Sequence, residues 1–523
     1  MAKKLTQNPL VRIVLLLLAV FVVVIAIAQI MAKSMVSDFL IRKLPQHVQL
    51  EYKDIDVNVI HGSISLKDIA ISLYDRDSML VHTKLVMDQI SLNGLSYWQF
   101  FVKKNIAIDE LNLQQPEVVH YLNKILPKKD KERQGVVGLL KTIEIEALKV
   151  IDGQLDVFQG DNDSLAFQAK DVDFSLMDAR TGPKQIKERI PITYGNYHLA
   201  TEDIFVDLGP YEQLKVGNIV LDNGDATLRE LDLRSKFSKA ELSKRINVEH
   251  DHFILKIPET TMNAIEVGYK NDTLFVTTGS GKITEPNADI YRDKLVADNF
   301  ENKRLYSRML RELPFRLNVP KFEIVNGRIS YSQRIETKVA PGKISFNDLN
   351  AVLLNVSNDP KANEKVTISA EAKLMDHAPI KLDWTFDVNN TLDAFTASGV
   401  IKDFRTESMN EFLESNLRAK GKGTIDRMYF TISGNTHSSA GDMKMKYKNF
   451  EFSVLKKNRL GVNKLLTAIG KIFINDGSNA DANGFRYGYI EVERDPTKSF
   501  FNYLWLNVRD GTVNTLVGKS EKK

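Results

Sequence analysis

The densest cluster of residues able to do chemistry is Glu249, His250, Asp251 and His252, where two imidazoles two positions apart would share one strand face within reach of a metal ion. It reads instead as the polar end of a strand, and the other histidines are scattered. The chain has no cysteine, which removes thiolate nucleophiles, disulfides and cysteine-ligated metal centres. No Gly-x-Ser-x-Gly elbow, His-Glu-x-x-His helix or P-loop occurs, and Gly279, Ser280, Gly281 and Lys282 lack the phosphate-loop spacing and read as a hairpin turn. No catalytic residue, cofactor or bound metal is expected, and the chain is not read as an enzyme.

The residues that do carry a pattern are apolar. From Val48 onward apolar and polar residues alternate in short runs, as in Val172, Phe174 and Leu176 or Met443, Met445 and Tyr447, with Gly, Asn and Asp between the runs. Period two places one greasy and one wet face on each strand, so an antiparallel, predominantly β region is expected. A longer pattern recurs, two apolar pairs followed by glycine and a third pair. It fits Ile143, Ile145, Leu148, Val150, Gly153, Leu155 and Val157; Leu214, Val216, Ile219, Leu221, Gly224, Ala226 and Leu228; and Leu317, Val319, Phe322, Ile324, Gly327, Ile329 and Tyr331. Roughly 0.2 such matches are expected by chance. A further copy, from Ile106 to Val118, has Pro116 in place of the glycine. The two-residue gap inside the pattern predicts a β-bulge that keeps both halves on one face, and the glycine predicts the turn into the next strand.

Other elements must position these strands. Residues 13–32 are apolar except for Gln29, long enough for a helix of roughly 30 Å, with Ile13, Leu16, Phe21, Val24 and Ile27 as anchor residues. Lys3, Lys4 and Arg12 precede it, so residues 1–12 are expected in the cytoplasm and the bulk of the chain across the membrane. A cleavable signal peptide is the competing reading, since Ala26 and Ala28 have small-x-small spacing. Residues 33–45 read as an interfacial amphipathic helix with Met35, Phe39 and Leu40 on one side. Helices are also expected over 95–104, 238–246, 289–313, 408–418 and 462–474, a loop at the charged stretch 128–133, and an aromatic-rich docking helix over 499–516. Asp77-Ser78, Asp163-Ser164 and Asp272-Thr273 stand at turn-to-strand junctions, where such residues are ordinary turn chemistry; their shared form also resembles an O-glycan acceptor. A net charge of +4 over 523 residues is too small to imply a nucleic-acid partner.

The anchor, the short amphipathic helix and the run from Val57 to Leu73 together resemble the start of AsmA-like proteins, bacterial relatives of the chorein-type bridge-like lipid-transfer proteins. Residues 400–455, with a helix after a strand and then two long alternating strands, are similar to the C-terminal module of that family. The resemblance implies a long, curved antiparallel sheet forming a U-shaped repeating β-groove over residues 46–395, followed by a C-terminal module with a terminal helix over 396–523. It also implies phospholipids as cargo and a place in the bacterial inner membrane, single-pass, with the bulk of the chain in the periplasm. Inner-to-outer membrane lipid transport and envelope integrity would be its purpose, with an outer-membrane or periplasmic protein as a further expected partner.

The need for such a groove follows from transfer energetics. Carrying a two-chain lipid through water exposes about 30 methylenes at ~0.8 kcal/mol each, a barrier near ~24 kcal/mol and an escape time on the order of a day. Apolar strand faces replace water along the acyl chains, and Ile143, Ile145, Leu148, Val150, Leu317, Val319, Phe322 and Ile324 are the expected groove lining. The alternatives are that these faces pack against a second sheet, and that the protein is a membrane-tethered β-rich scaffold for outer-membrane assembly without lipid carriage.

Overall fold

A computed structural model describes residues 9–42, 44–75, 78–124, 141–159, 163–359, 364–455 and 480–518. The expected helix over 462–474 and the loop over 128–133 lie outside these residues. The fold is mainly β, one large mixed sheet of long strands that are mostly antiparallel. It divides into two compact units, residues 1–207 with 216–223, and residues 208–215 with 224–523. The expected boundary at 395/396 falls at the start of a strand, Phe395–Arg405, that pairs with its predecessor.

The first unit opens with helix α1, Pro9–Arg42, unbroken across the expected anchor and the expected interfacial helix. Among the described residues no helix is long and apolar enough to cross a membrane; for residues 9–21 the description covers the backbone alone. Strands β1 (Val48–Glu51), β2 (Asp54–Asn58), β3 (Ser63–Tyr74), β4 (Val81–Asn93), β5 (Ile106–Gln114), β6 (Glu117–Tyr121), β7 (Ile143–Gln159), β8 (Ser164–Thr181), β9 (Tyr197–Asp207) and β10 (Glu212–Asp222) follow. Strands β5 and β6 lie end to end, each antiparallel to β4 and parallel to β7. The sheet is therefore mixed where an antiparallel one was expected.

Gly153 does not turn the chain. It sits inside the seventeen-residue β7, and the register with β8 shifts on either side of it. The bulge thus falls between Val150 and Gly153, not in the gap between the two apolar pairs, where the register with β8 does not shift, and Asp152 absorbs it in the left-handed region at φ 54°. Glycine fits closely there, since a Cβ would stand 3.0 Å from Val150 and 3.3 Å from Pro116, the proline joining β5 to β6.

The second unit repeats this arrangement. It comprises β11 (Asp225–Ser235), α2 (Lys239–Arg245), β12 (His252–Asn263), β13 (Glu266–Lys270), β14 (Thr273–Thr277), β15 (Ser280–Thr284), β16 (Asn287–Asp293), α3 (Tyr306–Arg311), β17 (Arg316–Arg334), β18 (Gly342–Ser357), β19 (Val366–Leu374), β20 (Ala378–Phe386), β21 (Phe395–Arg405), α4 (Asn410–Leu417), β22 (Ala419–Gly434), β23 (Ser438–Val454), β24 (Arg486–Glu493) and α5 (Phe500–Val517). Strands β15 and β16 lie end to end, antiparallel to β12 and parallel to β17, joined at Pro286 as β5 and β6 are joined at Pro116. The backbone bonds correspond: Gln115 and Gln154 engage Ile151 and Pro116, while Glu285 and Arg328 engage Val325 and Pro286. Gly327, inside β17, would place a Cβ 3.0 Å from Pro286, and Asn326 takes the left-handed conformation that Asp152 takes in the first unit. Two of the glycine-bearing sequence copies are thus equivalent strands of a duplicated unit. Only Gly224, at φ 94° between β10 and β11, marks the expected turn.

Two further expectations change. Residues 287–293 form β16, not a helix, and only Tyr306–Arg311 of the expected 289–313 helix is α-helical. Ser280, Gly281 and Lys282 belong to β15, which continues the line of β14 along β17, so Gly279 interrupts a strand instead of turning a hairpin. The helices at 239–245 and 410–417 form as expected. The first is set by Ser238, which accepts from the Glu241 amide while the Glu241 carboxylate accepts from the Ser238 amide.

Candidate functional site

In the first unit the register lines up side chains across six strands. One row runs Leu66, Ile90, Leu113, Val150, Phe174 and Leu199, and the next runs Ile64, Leu92, Leu111, Leu148, Leu176 and Tyr197. Between them, on the opposite face, runs Ser65, Ser91, Asn112, Lys149, Ser175 and His198. Directly paired residues project to the same side of a sheet, so this sheet has one apolar and one polar face. Beyond the bulge a third apolar row links Ile71, Leu85, Val118, Leu155 and Ala169. Ile145 pairs with Ile108 and Ala179, and Ile143 with Ile106 and Thr181.

The two principal rows are not a packed core. Of their twelve side chains only Leu176 is buried, and the rest, Leu148 and Val150 among them, are half-buried. A second layer over this face would bring such residues below a tenth exposed. No described helix or strand lies over these rows; α1 packs at the β2 edge.

The second unit carries two longer rows. One runs Met262, Gly281, Phe322, Leu353, Ile368, Trp384, Ala397, Ile432, Gly441 and Ile490; the other runs Thr260, Ile283, Ile324, Ala351, Ala370, Leu382, Gly399, Phe430, Met443 and Gly488. Leu317 pairs with Val276 and Val319 with Val356. All four expected lining residues of β17 are half-buried. Burial changes along the first row: Phe322, Leu353 and Ile368 are half-buried, while Trp384, Ala397, Ile432 and Ile490 are buried, the last three at 0–1% exposure.

The cause is α5. Phe500 stacks on Trp384 with ring centroids 4.2 Å apart, and Phe500 and Tyr503 meet Phe395 edge-on. Helix and sheet come into close contact at two glycines: a Cβ on Gly511 would lie 2.8 Å from Ile490, and one on Gly488 would lie 2.4 Å from the Thr515 amide. The Ser439 hydroxyl donates to Asn507 at 2.7 Å, and the Asn514 amide donates to the Tyr489 carbonyl. The expected docking helix is therefore self-packed on the last strands, over the same apolar rows that stay uncovered at β17.

The acidic and histidine cluster is not a metal site. His250 bonds Glu212, Asp251 holds Arg292 in a two-point pair at 2.7 Å, and Glu249 engages Lys294, so the side chains diverge to separate partners. Among the described residues no group of three metal-ligating side chains converges. Burial pushes the Glu249 carboxyl up, whereas hydrogen bonds, chiefly from Lys294, hold Asp298 below the usual carboxylate range. Burial likewise pushes the Tyr331 phenol up to about 12.

Of the anchor residues, Val24 and Ile27 are 56% and 51% exposed on α1; Ile13, Leu16 and Phe21 have side chains outside the described set. What sequence reasoning missed are the partners that complete the rows, Leu353 and Ala351 on β18 and Gly281 on β15. Pro116 and Pro286 were the available signal, since each marks the segment that runs parallel beside a repeat strand. No protein-family model matches the chain, and no curated protein matches it.

Proposed function

We propose that the chain is an AsmA-like, inner-membrane-anchored lipid carrier whose sheet curves into a U-shaped periplasmic β-groove that shields phospholipid acyl chains during transport toward the outer membrane. The observation that carries this reading is the pair of apolar rows in the first unit, half-buried and unroofed by any described element. Six strands at ~4.8 Å spacing make a row of roughly 24 Å, longer than the ~15 Å of one leaflet's hydrocarbon. Such a face accepts methylenes of any chain without a headgroup pocket, and burial of each methylene returns about 0.8 kcal/mol.

Native mass spectrometry and lipid extraction of the purified protein test the proposal: co-purifying phospholipid is expected, and its absence would leave only the scaffold reading. Val150→Asp and Ile324→Asp, each placing a charge in one row, are expected to lower the bound lipid severalfold with an unchanged β circular-dichroism spectrum. Global unfolding by both variants would mark these residues as packed core instead.

A further inference from the structure

The rim of the first unit where β2 turns into β3 and β4 leaves for β5 carries apolar side chains that the sheet does not use. Ile60, Trp98, Phe101 and Val102 are 65%, 65%, 71% and 54% exposed, and Lys103 and Lys104 stand exposed beside them. This excursion is not a slack loop. The Leu95 amide bonds the Gly62 carbonyl at 2.9 Å, the Ser96 amide bonds Ala107, the Asn105 amide bonds Gln99, and the Tyr97 hydroxyl donates to the Val59 carbonyl. Phe101 rests edge-on against Phe100, whose ring lies 4.3 Å from the Lys141 ammonium. Large aromatics held rigidly in solvent with lysines at their flank are the composition of a water–hydrocarbon interface.

Two further observations point to what covers the rim. Along α1, Ser37 bonds Tyr52, Lys33 pairs with Asp54, and Gln29 bonds the Val57 carbonyl and accepts from the Val59 amide. The contacts thus climb β2 toward this rim, and the backbone of residues 9–28 continues past it for roughly 30 Å. In the second unit the equivalent excursion starts with the same bond, Ile265 to Gly224, but becomes the hairpin β13–β14, whose second strand pairs with β17. The duplicated unit can therefore absorb this segment into its sheet, and only the copy that carries α1 leaves it outside as an aromatic knob.

We infer that this rim is a second membrane contact: Trp98, Phe101 and Val102 enter the headgroup–acyl boundary of the bilayer that holds α1, with Lys103 and Lys104 against anionic headgroups. The inference rests on reading α1 as a membrane anchor. Contact at this rim would bring the apolar row of Ile64, Leu92 and Leu111 against the bilayer surface, so that a lipid could pass between them without crossing water.

Because the chain lacks cysteine, one label can be placed at will. Full-length Phe101→Cys and Leu80→Cys, the latter exposed at the opposite end of β4, are labelled with an environment-sensitive fluorophore and reconstituted in phosphatidylethanolamine–phosphatidylglycerol vesicles. The label at 101 is expected to shift to the blue and to be quenched at least twofold more by shallow nitroxide lipids than the label at 80. Equal, water-like emission from both sites in protein that floats with the vesicles would overturn the rim contact and leave the anchor standing. Protein that fails to float would overturn the anchor, and the rim contact with it. A blue shift at 101 already present without vesicles would assign the knob to self-association and also overturn the proposal.

Discussion

At the scale of single residues, the glycines and one histidine show how closely packing follows the rows. Gly399 and Gly281 have no side chain because Phe430 and Phe322 from the neighbouring strands fill that space; a Cβ at Gly399 would lie 2.2 Å from the Phe430 ring. Gly399→Val is expected to destabilise the protein by about 1–3 kcal/mol in urea unfolding, through overpacking of a buried face. His252 is 7% exposed, and burial first, then the Lys239 charge, hold its imidazole below the ordinary value. The unfolded chain then binds the proton more tightly than the folded one. Stability is full above the unfolded value of about 6.5 and falls as the pH drops below it. His82, lowered by burial and by His120, acts in the same direction. The measure is therefore the difference between proteins: the fall in melting midpoint from pH 7.5 to 5.5 should be smaller for His252→Gln than for the parent.

At the scale of elements, α5 and the long strands carry the argument. The face of α5 that meets the sheet includes Phe500, Tyr503, Asn507, Gly511 and Thr515, so it is held by aromatic stacking at one end and by backbone proximity at the other. Phe500→Ala should cost about 3–5 kcal/mol through loss of a buried aromatic and the cavity it leaves, read from the thermal unfolding midpoint. The duplicated strands make a paired prediction. Gly153→Ala and Gly327→Ala each push a methyl toward the proline of the parallel neighbour, and each should destabilise its unit by about 1–3 kcal/mol in urea unfolding. A large effect at one and none at the other would argue against equivalence of the two units.

At the scale of the whole molecule, the sheet has a single chemical asymmetry repeated in both units, with α5 covering one stretch of it. The covered stretch shows what this apolar face does when the chain supplies its own partner: Met443, Ile432 and Ile490 fall to 0–1% exposure. The rows at Val150 and Ile324 stay half-buried, although α4 reaches one end of β17. The lipid-loading prediction follows from that contrast. Charges at Val150 and Ile324 should lower the bound lipid severalfold, whereas a charge on the opposite, polar face, as at Ser175, should leave the bound lipid unchanged in the same mass spectra.

How much of this was legible beforehand varies with the range of the interaction. Alternation of apolar and polar residues determines a two-faced strand by itself, because successive side chains on an extended backbone point to opposite sides whatever lies beside them. That Ile143, Ile145, Leu148, Val150, Leu317, Val319, Phe322 and Ile324 lie on strands, and that a unit repeats at Gly153 and Gly327, was readable for that reason. The partners were not. Strand pairing is non-local, and the same alternation is satisfied by a parallel or an antiparallel neighbour, so nothing near Ile145 or Ile324 announces that β5 and β15 lie parallel beside them. Whether glycine turns the chain, as at Gly224, or is bulged through, as at Gly153, depends on a proline some forty residues away. Only the tertiary structure decided which part of the apolar face is covered, since α5 reaches Trp384 across more than a hundred residues of chain that carry no local sign of the contact.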